Sequence, residues 1–285
     1  MEETDFILSK TTFMIKTFMR PHILERLLIS IEKLYGKEAE KVKIIIADDS
    51  KEQTDIWQKY PMQIDYHFLP YDIGISAGRN FMLDKIKTPY FILLDDDFVF
   101  TKETKIEALV SHLIDNSNLD IVGGLVYNMQ PKPSDLIRKE RGEEKGMRCF
   151  IVDGDTIYVE KKVTELIGSL QIGHMIPNFF SARSNSVRKN RWRDELKKWG
   201  EHRIFFIDCM KKGLRVALDP AVSIINAQDL SVKNRSKNLE IRKKYKRLSE
   251  EMVLNEYALR ILPNKKKALG KRGWWSNPFC SSEIR

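Results

Sequence analysis

The sequence is poor in cysteine and has no long apolar run. Its three cysteines, Cys149, Cys209 and Cys280, lie far apart, so their spacing predicts neither a disulfide framework nor a zinc site. No apolar run reaches the roughly 18 residues that a membrane-spanning helix needs. The N-terminal residues Met1–Asp5 are acidic and lack the basic-then-apolar order of a signal peptide. These absences predict a protein of a reducing, cytoplasmic compartment.

Basic charge is concentrated at one end of the chain. The net charge is +9 over 285 residues, but residues 231–285 alone hold 15 basic and 5 acidic side chains. The first 230 residues are therefore close to neutral, which disfavours a body built to bind nucleic acid. A composition of 42% hydrophobic and 31% charged residues is that of a globular protein. The length suits one large domain or two small ones.

Strand-like and helix-like segments alternate over the first 130 residues. Residues 11–18, Val42–Ala47, Ile64–Leu69, Tyr90–Leu94 and Ile121–Tyr127 are apolar and strand-sized, and helical patterns separate most of them. This alternation predicts an α/β domain with a mostly parallel central sheet. In such sheets the ligand crevice lies beyond the carboxyl ends of the strands. Polar residues at those ends are therefore the first candidates for a functional site.

The clearest candidate is the acidic run Asp95-Asp96-Asp97, which directly follows the apolar segment Tyr90–Leu94. Neighbouring carboxylates oppose each other's ionisation unless a cation is present. Oxygen ligands of this kind suit Mg²⁺ or Mn²⁺, which usually retain water or phosphate oxygens as well. The alternative interpretation is a solvated acidic turn.

Two further segments lie near predicted strand ends. Asp48-Asp49-Ser50 follows an apolar run, and its acids could accept hydrogen bonds from a nucleoside or serve as a helix N-cap. The segment Gly74–Asn80 reads as a glycine loop in which Arg79 offers a planar donor fork to oxygens. It fits neither a dinucleotide fingerprint nor a P-loop. Arg79 could instead pair with one of the strand-end acids.

A fourth candidate is Gly200-Glu201-His202, which precedes a helix predicted over Phe205–Lys212. A carboxylate before a helix is favoured by the helix N-terminal field. In a crevice such a group could accept a proton from a hydroxyl. The alternative is a capping acid beside a partly exposed histidine.

Taken together, the order and spacing of these segments resemble the GT-A nucleotide-sugar glycosyltransferases, with a family 2-like layout. They are similar in particular to β1,4-N-acetylgalactosaminyltransferases of the GM2/GD2 synthase type. The similarity covers roughly residues 11–230. The segments that carry it are Ile45–Ser50, Gly74–Asn80, Thr88–Thr101, Asn178–Arg183 and Glu201–Phe206.

The resemblance implies an inverting enzyme that moves a sugar, such as N-acetylgalactosamine, from a UDP-sugar to a carbohydrate hydroxyl. It implies a divalent metal, Mn²⁺ or Mg²⁺, held by Asp97 and Asp95 of a DXD motif, with Glu201 as the base. The donor-binding residues it implies are Thr17, Phe18, Arg20, Asp49, Gly74, Arg79, Asp95, Asp96, Asn178 and Arg183, the last at the end of a Ser181–Arg183 turn. Trp199 and His202 are expected to border the acceptor.

Some of these implications leave alternatives. Asp194 is a second candidate for the base. Related enzymes often supply a histidine to the metal after the strand that follows the Glu201 helix, whereas this chain has Asn226 and Asp229 in that stretch. Either could take the histidine's place, or the metal could rest on Asp97 and phosphate alone. Residues 131–147, which are polar and contain two prolines and two glycines, are a candidate lid.

The expected division is a catalytic domain over residues 1–230 and a basic helical extension over 231–285. Within the domain, residues 1–130 would bind the nucleotide and 148–230 would hold the acceptor and base. The extension contains Trp274-Trp275 and could rest on an anionic membrane surface, near a lipid-linked acceptor. The alternatives are a solvated helix face, or a non-catalytic module that binds polyanions or membranes. A sugar-nucleotide pyrophosphorylase is disfavoured because Thr17–Pro21 contains no glycine.

Overall fold

A computed structural model describes residues 2–129, 144–227 and 237–262. The described chain is a mixed α/β structure. Its α-helices are α1 (Glu2–Ser9), α2 (Pro21–Tyr35), α3 (Ile75–Lys85), α4 (Ile106–Asp115), α5 (Ser184–Arg188), α6 (Glu201–Lys211) and α7 (Lys237–Tyr257). Its strands are β1 (Thr11–Thr17), β2 (Lys43–Asp48), β3 (Gln63–Phe68), β4 (Tyr90–Asp95), β5 (Phe98–Val99), β6 (Ile121–Asn128), β7 (Glu144–Lys145), β8 (Cys149–Asp153), β9 (Thr156–Glu160), β10 (Glu165–Ile167), β11 (Leu170–Gly173), β12 (Phe180–Arg183), β13 (Val216–Asn226) and β14 (Arg260–Ile261).

The central sheet has the order β10-β11-β13-β6-β12-β4-β1-β2-β3. Strands β4, β1, β2 and β3 are parallel, as the alternating pattern predicts. Strand β12 lies antiparallel between β4 and β6, so the far half of the sheet is mixed. A small second sheet contains β14, β9 and β8.

The register of the parallel strands brings their carboxyl ends together. Thr17 of β1 lies opposite Asp48 of β2, and Lys16 lies opposite Asp95 of β4. The acidic run after β4 and the acids after β2 therefore lie on either side of the end of β1. This confirms that the polar strand ends share one edge of the sheet.

Helices cover both faces of the sheet. In β2, Ile44 and Ile46 pack in the cluster that contains α2 and α4, whereas Ile45 and Ala47 pack in the cluster that contains α3, α6 and α7. This alternation is the two-residue period of a strand with both faces buried. A doubly covered sheet exposes its strand ends more than its faces, which leaves those ends to form the crevice.

Three element boundaries differ from the sequence predictions. The segment Gly74–Gly78 is not a loop but the start of α3. Gly74 is the N-cap, at φ 99°, and the first helical turn begins at Ile75. Helix α6 begins at Glu201, four residues before the predicted start. The apolar run Leu214–Leu218 predicts a short strand, whereas β13 continues to Asn226 through an irregularity between Asp219 and Ser223.

Helix α7 lies beyond the predicted boundary at residue 230 but packs against the residues before it. Helix α7 packs into the core through Val253, which is 1% exposed. Tyr257 Oη donates to Asp208 of α6 at 2.5 Å, and Arg193 donates to Glu256 at 2.7 Å. Apolar burial and these bonds join α7 to the same core as α6.

Several predictions fall on residues outside the described ranges. They concern most of the candidate lid over 131–147, Asp229, and the tail beyond Leu262 with Trp274-Trp275. The contact with anionic lipid and the peripheral cytoplasmic location stay predictions. No helix within the described residues combines the length and the apolar character that a membrane crossing requires.

If α7 belongs to the core, a cavity in its buried face should destabilise the whole protein. We expect Val253→Ala to lower the free energy of unfolding by about 2 kcal/mol, through lost burial and the cavity that remains. Leu254→Ala on the exposed face of the same helix is the control and should change it by less than about 0.5 kcal/mol. Urea unfolding followed by circular dichroism measures both. Equal effects would show that α7 is not part of the cooperative core.

Candidate active site

Buried ion pairs organise the edge where the strands end. Asp49, directly after β2, accepts hydrogen bonds from Lys16 Nζ of β1 and from the Gly74 backbone N–H at 2.9 Å. Its carboxylate is 2% exposed. The carboxylate is therefore enclosed by the protein and joins β1 to the start of α3, and the binding of the donor by Asp49 stays a prediction. Burial lowers the pKa of Lys16, although Asp49 acts in the opposite direction.

The middle residue of the acidic run is an internal tie. Asp96 is 1% exposed and accepts hydrogen bonds from Thr17 Oγ1, at 2.8 Å, and from Arg20. Burial raises the pKa of Asp96, and Arg20 opposes that shift. The Asp96 carboxylate thus holds the end of β1 and Arg20, and its contact with the donor stays a prediction. The Arg20 side chain itself is 41% exposed and remains available to a ligand.

Asp97 differs from its neighbours in having little compensation for its charge. Its Oδ1 is buried and has no hydrogen-bond partner among the described residues, and Arg20 Nη1 lies 3.9 Å from Oδ2. Burial, reinforced by Asp95 and Asp96, raises the pKa of Asp97 to about 7. A carboxylate in this condition favours a bound cation, whose positive charge would offset burial and repulsion.

The side-chain oxygen of Asn226 is a second atom that suits a cation. It pairs with Phe98 across β13 and β5, beside Asp97, and the Ala227 N–H donates to the Asp97 carbonyl at 2.9 Å. Asn226 Oδ1 is buried and lacks a hydrogen-bond partner among the described residues. Within those residues no three His, Cys, Asp or Glu side chains form a metal cluster. Asp97, Asp95 and Asn226 nevertheless supply the hard oxygen donors that Mg²⁺ and Mn²⁺ prefer.

Asp95 connects the acidic run to the opposite wall. Its Oδ1 accepts a hydrogen bond from Arg79 Nη2 at 2.9 Å, and its Oδ2 accepts one from Asn178 Nδ2 at 3.2 Å. The Asp95 side chain is 34% exposed, so it still faces the crevice. Asn178 thus lies beside the acidic run, and its contact with the donor sugar stays a prediction.

Glu201 begins α6 and lies in the same wall. Gly200 precedes it in the left-handed region at φ 88°, and a Cβ there would approach within 2.8 Å of Ser249. Glu201 is 8% exposed, and its Oε1 is 3.8 Å from Arg79 Nη1. Burial raises its pKa, while Arg79 and backbone N–H groups oppose the shift. A buried carboxylate with a raised pKa is suited to general base chemistry.

His202 is an internal residue of the site. Its Nδ1 lies 2.5 Å from Asn178 Oδ1, and its ring packs edge-on against Phe206. Burial, with help from Arg79, lowers its pKa to about 3. The histidine is therefore neutral at physiological pH and positions Asn178. Trp199, the other residue predicted to border the acceptor, has a side chain that is 42% exposed.

The first turns of α3 attach the donor side of the site to the segment that leads to Glu201. Ser76 Oγ donates to the Leu196 carbonyl at 2.8 Å. The Asn80 side chain bonds both the N–H and the carbonyl of Trp192, at 3.1 and 2.8 Å. Gly74 is required because a Cβ there would overlap Lys197 at 2.6 Å. This close packing fixes the position of the segment that leads to Glu201.

The open rim near the end of β1 is aromatic and basic. Phe18 lies 5.8 Å from Tyr71, ring centroid to ring centroid, and Lys198 Nζ lies 5.2 Å from the Phe18 ring. Tyr71 is 55% exposed. An exposed aromatic flanked by cations suits a nucleobase and the negative charge that follows it.

Two predicted residues lie elsewhere. Arg183 pairs with Tyr90 at the start of β4, the opposite end from Asp95. Its guanidinium donates to backbone carbonyls at the end of α4, so the prediction that it faces the donor sugar is wrong. The Ser181–Arg183 segment is part of strand β12 rather than a turn. Asp194 is exposed and accepts a hydrogen bond from Asn80 at 2.7 Å, which leaves Glu201 as the buried candidate base.

Sequence reasoning missed residues whose role depends on tertiary contact. Lys16 is an inward-facing cation within an apolar strand, and that break in the pattern was the available signal. Trp192 had no such signal. Its ring is 5.7 Å from the Arg79 guanidinium carbon.

Comparisons with known proteins agree with this geometry. Residues 12–148 match the sequence model of Glycosyl transferase family 2. The chain is 43% identical over 115 residues to Beta-1,4 N-acetylgalactosaminyltransferase 2 of Mus musculus, covering 40% of this chain and 21% of that one. It is 32% identical over 202 residues to Beta-1,4 N-acetylgalactosaminyltransferase 1 of Mus musculus, covering 69% and 35%. The chain thus spans only about a fifth to a third of these relatives.

Solved structures show the same fold at low sequence identity. The S. aureus TarS 1-349 structure has a TM-score of 0.56 at 17% identity, over 86% of this chain and 66% of that one. The structure of GalNAc-T7 with UDP, GalNAc and Mn²⁺ has a TM-score of 0.56 at 14% identity, over 78% and 44%. The family match covers the strand ends that carry Asp49 and Asp95–Asp97, and the fold match covers most of the chain. The chain therefore has the GT-A fold, and its residues 12–148 belong to Glycosyl transferase family 2.

Proposed function

We propose that this glycosyltransferase moves N-acetylgalactosamine, or a closely related sugar, from its UDP donor to a carbohydrate hydroxyl with inversion at the anomeric carbon. The observation that carries the proposal is that two buried carboxylates with different surroundings lie at the same edge of the sheet. Asp97 lacks a hydrogen-bond partner for one buried oxygen among the described residues, and Glu201 starts a helix beside Arg79. The names of the curated relatives support N-acetylgalactosamine as the sugar.

The donor side of the crevice would bind UDP. Phe18 and Tyr71 offer aromatic surface to the uracil, and the exposed Arg20 guanidinium faces the position of a diphosphate beside Asp97. Asp97, Asp95 and Asn226 would hold a divalent cation, which when bound neutralises the negative charge of the departing UDP. Asn178, held by Asp95 and His202, would face the donor sugar.

The acceptor side would supply the base. Glu201 takes the proton of the acceptor hydroxyl, the hydroxyl oxygen forms the new bond to the anomeric carbon, and the bond from that carbon to the UDP oxygen breaks. The helix N-terminal field and Arg79 favour the carboxylate form that can accept the proton. Burial raises its basicity relative to an exposed glutamate.

Asp97→Asn tests the cation-binding carboxylate. The amide keeps the shape but removes the negative charge, so we expect Mn²⁺-dependent UDP binding to weaken at least about tenfold, with transfer falling accordingly. Isothermal titration of UDP with and without Mn²⁺ measures binding, and UDP release from UDP-N-acetylgalactosamine in the presence of an oligosaccharide panel measures transfer. Asp115→Asn, an exposed acid at the end of α4, should leave both unchanged. Unaltered Mn²⁺ dependence in Asp97→Asn would remove Asp97 from the metal site.

Glu201→Gln tests the base. Losing the proton acceptor should lower the transfer rate by about 10²–10⁴-fold, while calorimetric affinity for UDP with Mn²⁺ stays near the wild-type value. Asp194→Asn is the matched control and should retain transfer. Full activity in Glu201→Gln with loss in Asp194→Asn would reassign the base.

The dependence of kcat/KM on pH should reflect the protonation of Glu201. Because burial raises the pKa of Glu201, kcat/KM should fall as pH decreases through a value above the ordinary glutamate range of about 4.3. His202 should add no limb near its ordinary range, since its pKa is lowered to about 3. UDP release measured from pH 4.5 to 8.5 tests this, with protein stability checked at each pH. An acidic limb at or below the ordinary glutamate range would contradict a buried base.

A further inference from the structure

Arg79 is a fully buried arginine at the centre of the site. Its side chain is 2% exposed, so a nucleotide has little access to its guanidinium. The family resemblance placed it near the uridine. The structure instead directs its two terminal nitrogens at two protein carboxylates, Asp95 at 2.9 Å and Glu201 at 3.8 Å.

Two nitrogens of Arg79 have no hydrogen-bond acceptor in the described part of the chain. Nε and Nη1 are buried and form no hydrogen bond within the described residues. Nη1 is the nitrogen nearest Glu201, so this donor is directed at the base without being taken up by another group. Burying an arginine with unused donors costs stability, which favours a functional reason for the arrangement.

The other cations of the edge are already assigned. Lys16 pairs with Asp49, and Arg20 pairs with Asp96. Among the ion pairs of the described residues, Glu201 therefore has Arg79 as its cationic neighbour. A carboxylate buried to this extent would be driven toward its protonated form without a nearby positive charge. A protonated Glu201 cannot accept a proton.

Arg79 is itself held by the segment that leads to Glu201. Its guanidinium carbon lies 5.7 Å from the Trp192 ring, and the next residue, Asn80, bonds the Trp192 backbone on both sides. The arginine and the base thus share one rigid support, which extends from α3 to the start of α6.

We propose that Arg79 is a positioning residue that holds Glu201 in place and in its charged form, on a fixed link to Asp95, and that it does not bind the nucleotide. The inference rests on the proposed function of Glu201 as the base. It assigns Arg79 to the acceptor step of the reaction rather than to donor affinity.

The test is a double-mutant cycle with two separate readouts. Arg79→Gln, Arg79→Lys, Glu201→Gln and Arg79→Gln/Glu201→Gln are compared with the wild type. The first readout is the calorimetric affinity for UDP with Mn²⁺. The second is kcat for UDP release from UDP-N-acetylgalactosamine, with the oligosaccharide panel and with water alone as acceptor. Arg188→Gln is the matched control, because Arg188 donates to the carbonyl of Ile86 at the far end of α3.

We expect Arg79→Gln to lower kcat by about 10²-fold, because the base is misplaced or protonated, with UDP affinity changed by less than about threefold. Arg79→Lys should recover part of kcat because it retains the charge. In the Glu201→Gln background, Arg79→Gln should add less than about threefold, since the group on which it acts is already lost. Arg188→Gln should leave kcat and UDP affinity near wild type. Circular dichroism and melting temperatures confirm that each variant is folded.

Three outcomes would overturn the proposal. A tenfold or greater loss of UDP affinity in Arg79→Gln at unchanged kcat would make Arg79 a nucleotide ligand. A full multiplicative loss in the double variant would make its action independent of Glu201. If Arg79→Gln unfolds, the cycle is read with Arg79→Lys, and additivity there counts against the proposal. Wild-type activity in Glu201→Gln would instead show that the base assignment itself has failed.

Discussion

The site depends on the cost of gathering carboxylates at the buried ends of parallel strands. Asp49, Asp95 and Asp96 are each matched by a different cation, namely Lys16, Arg79 and Arg20. Each pair also joins two separate elements, so neutralising the charge and fixing the geometry are the same set of contacts. Asp97 lies outside this scheme, with Arg20 only at 3.9 Å. The protein thus pairs three of the four acids with its own cations and leaves Asp97 without comparable compensation.

The segment Gly74–Asn80 explains how the two halves of the site are held together. The Gly74 N–H donates to Asp49, and the Asn80 side chain donates to the Trp192 carbonyl. Between them, Arg79 bonds Asp95 and lies near Glu201. A helix supplies this arrangement because side chains three and four positions apart share a face, which allows Ser76 and Asn80 to contact the same segment. The glycine that suggested a ligand loop serves instead to admit Lys197 against the helix start. Close packing therefore links the acids at the strand ends to the segment that precedes Glu201.

Much of the fold was predictable from local pattern, and less of the site was. Apolar runs such as Val42–Ala47 identified the parallel strands, and the rule about strand ends located the acids. Arg183 was misplaced because its strand, β12, inserts antiparallel, which sends its last residue to the opposite edge of the sheet. The ion pairs of Asp49 and Asp96 were not predicted because their partners, Lys16 and Arg20, lie in β1 and just after it, on another element. Local spacing carries no information about such pairings.

The basic excess of the chain also takes a different meaning once packing is known. Composition separated residues 231–285 from the body, yet α7 buries Val253 beside α6 and places Ser249 against Gly200, the residue before Glu201. Lysines such as Lys244 remain on its exposed face. A helix can satisfy both demands because its buried stripe is narrow and the rest of its surface is free to carry charge. The charged side chains therefore describe one face of α7, whereas its apolar stripe packs it against α6, the helix that begins at Glu201.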